Sequence, residues 1–222
     1  MTDELLPAGD QPQSILRLGL IFEGAIALGA CAIGIFLPTP PWKLIEWRAG
    51  VAAWGLVATI PLVVGLLILR QINLGPFRRL NAVVDEMLVP LFARCTIVQL
   101  AILSVLAGVG EELMFRGVLQ PVLIGWLGVV IGIVLASTVF GLLHAVTVTY
   151  AVLATGVGAY LGWLTIASEN LLVPIIAHSL YDFVALVYLI QTRPGKKVDL
   201  RAAVDAAHGT AEQTGGPFLR EP

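Results

Sequence analysis

Apolar residues in this chain come in long blocks separated by short polar breaks. A helix crosses the hydrocarbon core of a bilayer with roughly 20 predominantly apolar residues, and about six blocks reach or approach that length. They run over residues 15–37, 50–69, 91–124, 128–145, 147–167 and 171–190. The pattern predicts an all-α fold: a polytopic transmembrane helix bundle with about six spans. The first block stops at Pro38-Thr39-Pro40-Pro41, and Trp42 and Trp47 follow it as interfacial anchors would. Pro121 lies near the end of the third block and Pro174 in the first turn of the sixth.

Residues 71–92 break the pattern. Phe77, Leu80, Val84, Met87 and Leu91 recur at helical spacing, with Arg78, Arg79, Asp85 and Glu86 between them. Pro76 stands where a helix can open. Such a segment reads as an interfacial helix, and equally as a plain connector. The chain then divides into a polar tail at 1–14, spans and connector at 15–90, a helical core at 91–191 and a second tail at 192–222. Both tails are expected to be disordered, the second because it turns from basic to rich in Gly, Thr and Ala.

Composition sharpens this picture. Of 222 residues 58% are hydrophobic and only 13% charged, where a soluble domain is nearer about a quarter charged. The mean hydropathy is +0.90. The net charge is −2 and no basic run marks a nucleic-acid partner; the bilayer is the implied environment. Cys31 and Cys95 lie in or beside apolar blocks and read as small buried hydrophobes, without disulfide or zinc spacing. The first residues are acidic where a signal peptide is basic, so the first block reads as a retained span.

Basic residues predict the topology. With six spans both termini share a side with the 70–94 connection, which carries Arg70, Arg78, Arg79 and Arg94. Arg193, Lys196, Lys197 and Arg201 fall on that side too, against Lys43 and Arg48 on the other. This excess places both termini in the cytoplasm. The compact size points to a prokaryotic plasma membrane.

The chemistry lies in charges at unexpected depth. A charged side chain at the centre of a membrane costs at least ~2.5–3.5 kcal/mol and normally faces a protein interior or a wet cavity. Between Thr96 and Ile190, Glu111, Glu112, Arg116, His144, His178 and Asp182 all fall inside predicted spans, whereas Glu169 falls in a loop beside Asn170. Glu112 and Arg116 are four apart and can pair on one helix face. Glu111 points about 100° away from Glu112. His144 follows Phe140 by four, and Asp182 follows His178 by four. Three helices thus offer polar groups that are cheapest to gather around one cavity, equipment for activating water and polarising a carbonyl. The bland alternatives are a buried Glu112–Arg116 pair that locks helices and histidines that bond between helices. Glu23, in the first span, receives no role. Gly141, Gly156, Gly158 and Gly162 read as sites of close helix packing.

These residues carry a resemblance. The chain resembles the CAAX prenyl protease and bacteriocin-processing family (CPBP, or Abi) of intramembrane endopeptidases over about residues 91–190. The family's EExxxR motif matches Glu111 to Arg116, its FxxxH motif Phe140 to His144, and its third motif His178 to Asp182. The resemblance implies Glu111 as general base, His144 as its partner on the attacking water, and His178 and Asp182 as oxyanion stabilisers. Asp182 departs from the asparagine of the CAAX-processing enzymes: an ionised carboxylate cannot donate a hydrogen bond. It would donate only when protonated, or else orient His178.

Metal use stays open at this level. Glu111, His144 and His178 could hold zinc with a free position for water, but HExxH is absent and the metal-free reading is favoured. The implied function is endopeptidase action on a membrane-associated peptide or protein, a prenylated one being one class. The competing functions are a non-catalytic membrane partner, such as an immunity or scaffold protein, and a proton- or ion-coupled transporter. No convincing internal repeat supports the transporter.

Overall fold

The computed structural model describes residues 11–192, with side chains from Ser14 onward; both predicted tails fall largely outside that range. The described residues form seven helices. They are α1 (Gln11–Gly34), α2 (Ala49–Gln71), α3 (75–92), α4 (Ile97–Leu127), α5 (Val129–Leu143), α6 (Val148–Ser168) and α7 (Leu172–Thr192). Five of them, α1, α2, α4, α6 and α7, are long and apolar enough to cross a membrane. The fold is a helical bundle, as the apolar blocks predict.

The fourth block, residues 128–145, behaves differently. Helix α5 has 15 residues, a rise of about 22 Å against a hydrocarbon core of about 30 Å. It still counts as one pass of the bundle. Leu171 N–H donates to Leu44 C=O over 2.8 Å, and Asn170 Nδ2 donates to Glu46 C=O over 3.0 Å. The α6–α7 loop is thus clasped to the α1–α2 loop, at one end of the bundle. Four helices, α2, α4, α5 and α6, separate those loops, so α5 must return the chain to the opposite end. The start of α1 and the end of α7 therefore share an end.

Two boundaries differ from the sequence reading. Helix α1 begins at Gln11, inside the stretch expected as a tail. Helix α4 begins at Ile97 rather than near Leu91, because Thr96 caps it: Thr96 Oγ1 accepts from Gln99 N–H, and Gln99 Oε1 accepts from Thr96 N–H. This capping box satisfies two otherwise orphaned donors. Residues 89–92 belong instead to α3, a continuous helix with a π turn at Val84–Leu88. Arg70 at the end of α2 forks onto Asp85 of α3, both bonds 3.0 Å. Cys31 and Cys95 are free and half-buried.

Large apolar side chains such as Leu18, Phe22, Val57, Ile60, Val130 and Val148 point outward. That is what helices facing lipid require, since the solvent there is as apolar as the core. Inside, α4 is central: it packs against α1, α5 and α7, while α2 packs on α7 and α6 on α5. Small residues set these approaches. A Cβ on Gly108 would strike Ser179 of α7 at its hydroxyl and, at 2.9 Å, its backbone nitrogen. One on Gly141 would strike Thr155. Gly156, expected to do the same, has open space beside it.

Candidate active site

Helix α4 changes winding where its chemistry sits. A π turn spans Phe115–Leu119, beginning three residues after Glu112, and Pro121 follows in the next turn. Turns of this kind often mark functional sites. Glu112 and Arg116 remain paired across the start of this turn. Arg116 Nη1 donates to Glu112 Oε1 over 2.8 Å, with the two side chains 1% and 0% exposed.

The pair does more than neutralise itself. Arg116 Nη2 donates to the carbonyl of Gly158 on α6 over 3.0 Å. One turn further along both helices, Gln120 Nε2 donates to the Gly162 carbonyl over 3.2 Å. These two rungs explain Gly158 and Gly162, where a Cβ would lie 3.3 Å from Arg116 Nη2 and 2.5 Å from Gln120 Oε1. The guanidinium carbon also sits 4.5 Å from the ring centroid of Phe140, a cation–π contact in a desolvated site.

The two histidines meet this assembly from α5 and α7. His178 is buried, and its Nδ1 donates to Glu112 Oε1 over 2.8 Å. Glu112 Oε1 thus receives Arg116 and His178 together. The other ring nitrogen, Nε2, faces Asp182 Oδ2 at 3.4 Å and Glu111 Oε2 at 3.9 Å. His144 caps the C-terminal end of α5, where Nδ1 donates to the Phe140 carbonyl over 2.8 Å. Its ring stacks on Phe140 at 4.3 Å between centroids. Its Nε2 then points at Glu111 Oε2, 3.5 Å away.

All seven residues singled out in the sequence therefore come together: Glu111, Glu112, Arg116, Phe140, His144, His178 and Asp182. Glu111 is nine-tenths buried, and its Oε2 has no hydrogen-bond partner although two imidazole nitrogens face it. His144 and Asp182 are the more open members, with side chains 28% and 31% exposed. The site is thus closed beneath Glu112 and Arg116 and open beside His144 and Asp182. Among the described residues no group of three or more His, Cys, Asp or Glu side chains is arranged to hold a metal ion.

Glu23 is the residue the sequence reading left without a place. Its carboxylate is close enough to Glu111, Asp182, His178 and His144 to interact with the charge on each. The signal was present: Glu23 is the one Asp, Glu, Lys or Arg between Leu18 and Leu37. What could not be read was which way α1 faces.

Comparison with known proteins bears on the same segment. The model of the type II CAAX prenyl endopeptidase Rce1-like family matches residues 93–184. No curated protein and no solved structure matches the chain. Residues 93–184, which hold every member of the cluster except Glu23, are thus similar to the Rce1-like endopeptidases, and the match supports a place in the CAAX prenyl protease and bacteriocin-processing family.

Proposed function

We propose that this protein hydrolyses a peptide bond in a membrane-associated polypeptide, with Glu111 as general base and no metal ion in the catalytic step. The observation that carries this reading is the buried, unpartnered Glu111 Oε2 facing Nε2 of both His144 and His178. With Nδ1–H of His144 committed to the Phe140 carbonyl, neutral His144 offers a lone pair at Nε2. A water can then donate one hydrogen to Glu111 and the other to His144. Its own lone pairs turn toward a substrate carbonyl.

Attack forms the new carbon–oxygen bond while Glu111 takes the proton. The tetrahedral oxyanion needs a donor. His178 has its Nδ1–H on Glu112, so it donates through Nε2 only as the imidazolium. Glu112 and Asp182 are the counter-charges for that form, and Asp182 acts through His178. Collapse breaks the carbon–nitrogen bond, and Glu111 returns its proton to the leaving amine. Arg116 and Phe140 hold Glu112 and His144 in register.

An apolar groove of about 530 Å³, lined by Trp47, Leu56, Val105, Ile176 and Phe183 among others, borders α4 and α7, the helices that carry Glu111 and His178. It supports entry of an apolar substrate segment from the membrane. A prenylated segment is the narrower substrate class. The end of the bundle that carries Arg70, Arg78, Arg79 and Arg94, with the start of α1 and the end of α7, is assigned to the cytoplasm.

The test is cleavage of a library of membrane-protein peptides, prenylated and unmodified, by purified protein in detergent. Wild type, Glu111→Ala and His144→Ala run side by side, with and without a strong chelator. Activity lost in both variants and indifferent to chelator is the expected result. Loss with chelator and recovery with zinc would replace the metal-free mechanism. Equal activity in all three proteins would sink the assignment.

A further inference from the structure

Glu23 is a carboxylate with no hydrogen-bond or ion-pair partner at its buried oxygen, Oε2, among the described residues. Its position is not a peripheral accident. The α1 backbone meets α4 beside the catalytic pair: a Cβ on Gly110 would lie 2.8 Å from the Glu23 carbonyl oxygen. Gly110 immediately precedes Glu111, so the absence of a side chain there is what lets Glu23 approach.

The charges around it are accounted for on the reading proposed above, on which this inference rests. Arg116 balances Glu112. An imidazolium at His178 balances Asp182. In the proposed mechanism His144 is neutral, its Nδ1–H on Phe140 and its Nε2 accepting from the water. Glu111 and Glu23 remain, two carboxylates within range of each other's charge, and the described residues provide no cation there beyond those already matched to Glu112 and Asp182. Like charges so placed repel strongly, and removal from water leaves each without its solvation. A positive group entering the cavity relieves both at once.

We infer that Glu23 is a specificity-determining residue of the proposed endopeptidase, the counter-charge for an ammonium or guanidinium side chain that the substrate carries beside its scissile bond. The negative balance also disfavours an acidic side chain at that point, so selection works by attraction and by repulsion. Helix α1 lies outside the matched segment 93–184, so this preference is a property of the present chain's own N-terminal helix.

The experiment uses full-length protein in lipid nanodiscs and N-acetylated, C-amidated fluorogenic peptides built on the best-cleaved library sequence, or on a fixed leucine–alanine sequence where none is cleaved. They differ only in carrying lysine, norleucine or glutamate next to the scissile bond. Wild type should favour lysine over norleucine by about tenfold or more in KM, with glutamate worst. Glu23→Gln should bring the lysine-to-norleucine ratio close to one, and Glu23→Asp should keep its direction. A purely structural Glu23 would lower all three peptides together and leave the ratio intact, which overturns the inference. So does a wild type that does not discriminate. Binding of the same peptides by fluorescence anisotropy reads the preference without turnover. Lysine preference that Glu23→Gln abolishes, in a protein that cuts nothing, would uphold Glu23 and overturn the endopeptidase assignment. Cleavage without preference does the reverse.

Discussion

His178 Nδ1 donates to Glu112 Oε1 over 2.8 Å, and that one bond joins α7 to α4 at the centre of the bundle. It also fixes what the imidazole can do. One nitrogen is committed to a buried carboxylate, so only Nε2 is left to face Glu111, Asp182 and a substrate. The second glutamate of the EExxxR motif is thus tied to Arg116 on its own helix and to His178 on another, and in the proposed mechanism it is a positioning group.

Glu111→Gln keeps the shape of the side chain and removes the base. Cleavage is expected to fall by about 10²–10⁴-fold in kcat, the usual contribution of a general base. Thermal stability should be unchanged or raised, because Glu111 Oε2 has no bond to lose. A normal melting profile with full activity would remove Glu111 from the mechanism.

Arg116→Met leaves Glu112 buried without its cation. Breaking a buried pair in this way costs about 3–5 kcal/mol. Arg116→Lys should recover little, since one ammonium cannot reproduce the guanidinium fork that bonds Glu112 and the Gly158 carbonyl together. The double variant Glu112→Gln, Arg116→Met should be more stable than Arg116→Met alone. Detergent-solubilised melting curves for the four proteins check this order.

Gly108→Val probes the α4–α7 approach. The new side chain would collide with Ser179, backbone nitrogen included, so α7 must move away. Overpacking of this kind typically costs about 1–3 kcal/mol. Activity should fall further than stability does, since the shift draws His178 off Glu112. Cleavage rates and melting temperatures measured on the same preparation separate the two effects.

Asp182→Asn removes the counter-charge beside His178 Nε2 without removing the side chain. A loss of roughly 10–100-fold in kcat is expected, smaller than the loss of a direct oxyanion donor at its strongest. KM should hardly move. Full activity would show that the charge at this position is dispensable.

Asn170→Ala tests the clasp between loops. Asn170 is buried and bonds Glu46 through both its carbonyl and its amide group, and its Oδ1 also accepts from Leu172 N–H. Losing those partners should destabilise by about 1–3 kcal/mol. Proteolytic nicking of the α1–α2 and α6–α7 loops should rise in parallel.

The sequence by itself determined the kind of fold and the members of the cluster. Long apolar blocks leave no alternative to membrane helices, because lipid offers backbone groups no partner outside the helix. Ionisable residues inside those blocks are costly enough that six of them had to converge. Helical spacing alone paired Glu112 with Arg116. The start of α4 was also legible, in Thr96 and Gln99 three residues apart, but the continuous apolar stretch across it hid the cap. What only the tertiary structure decided is orientation. Whether α5 counts as a pass depends on the clasp of Asn170 to Glu46, two residues 124 apart in sequence. Which nitrogen of His178 is free depends on Glu112 reaching it across two helices. Glu23 joins the site because Gly110 lets α1 close on α4, and nothing in the periodicity of α1 records which side faces its neighbour. Spacing along one helix fixes faces relative to each other; only packing between helices fixes where those faces point.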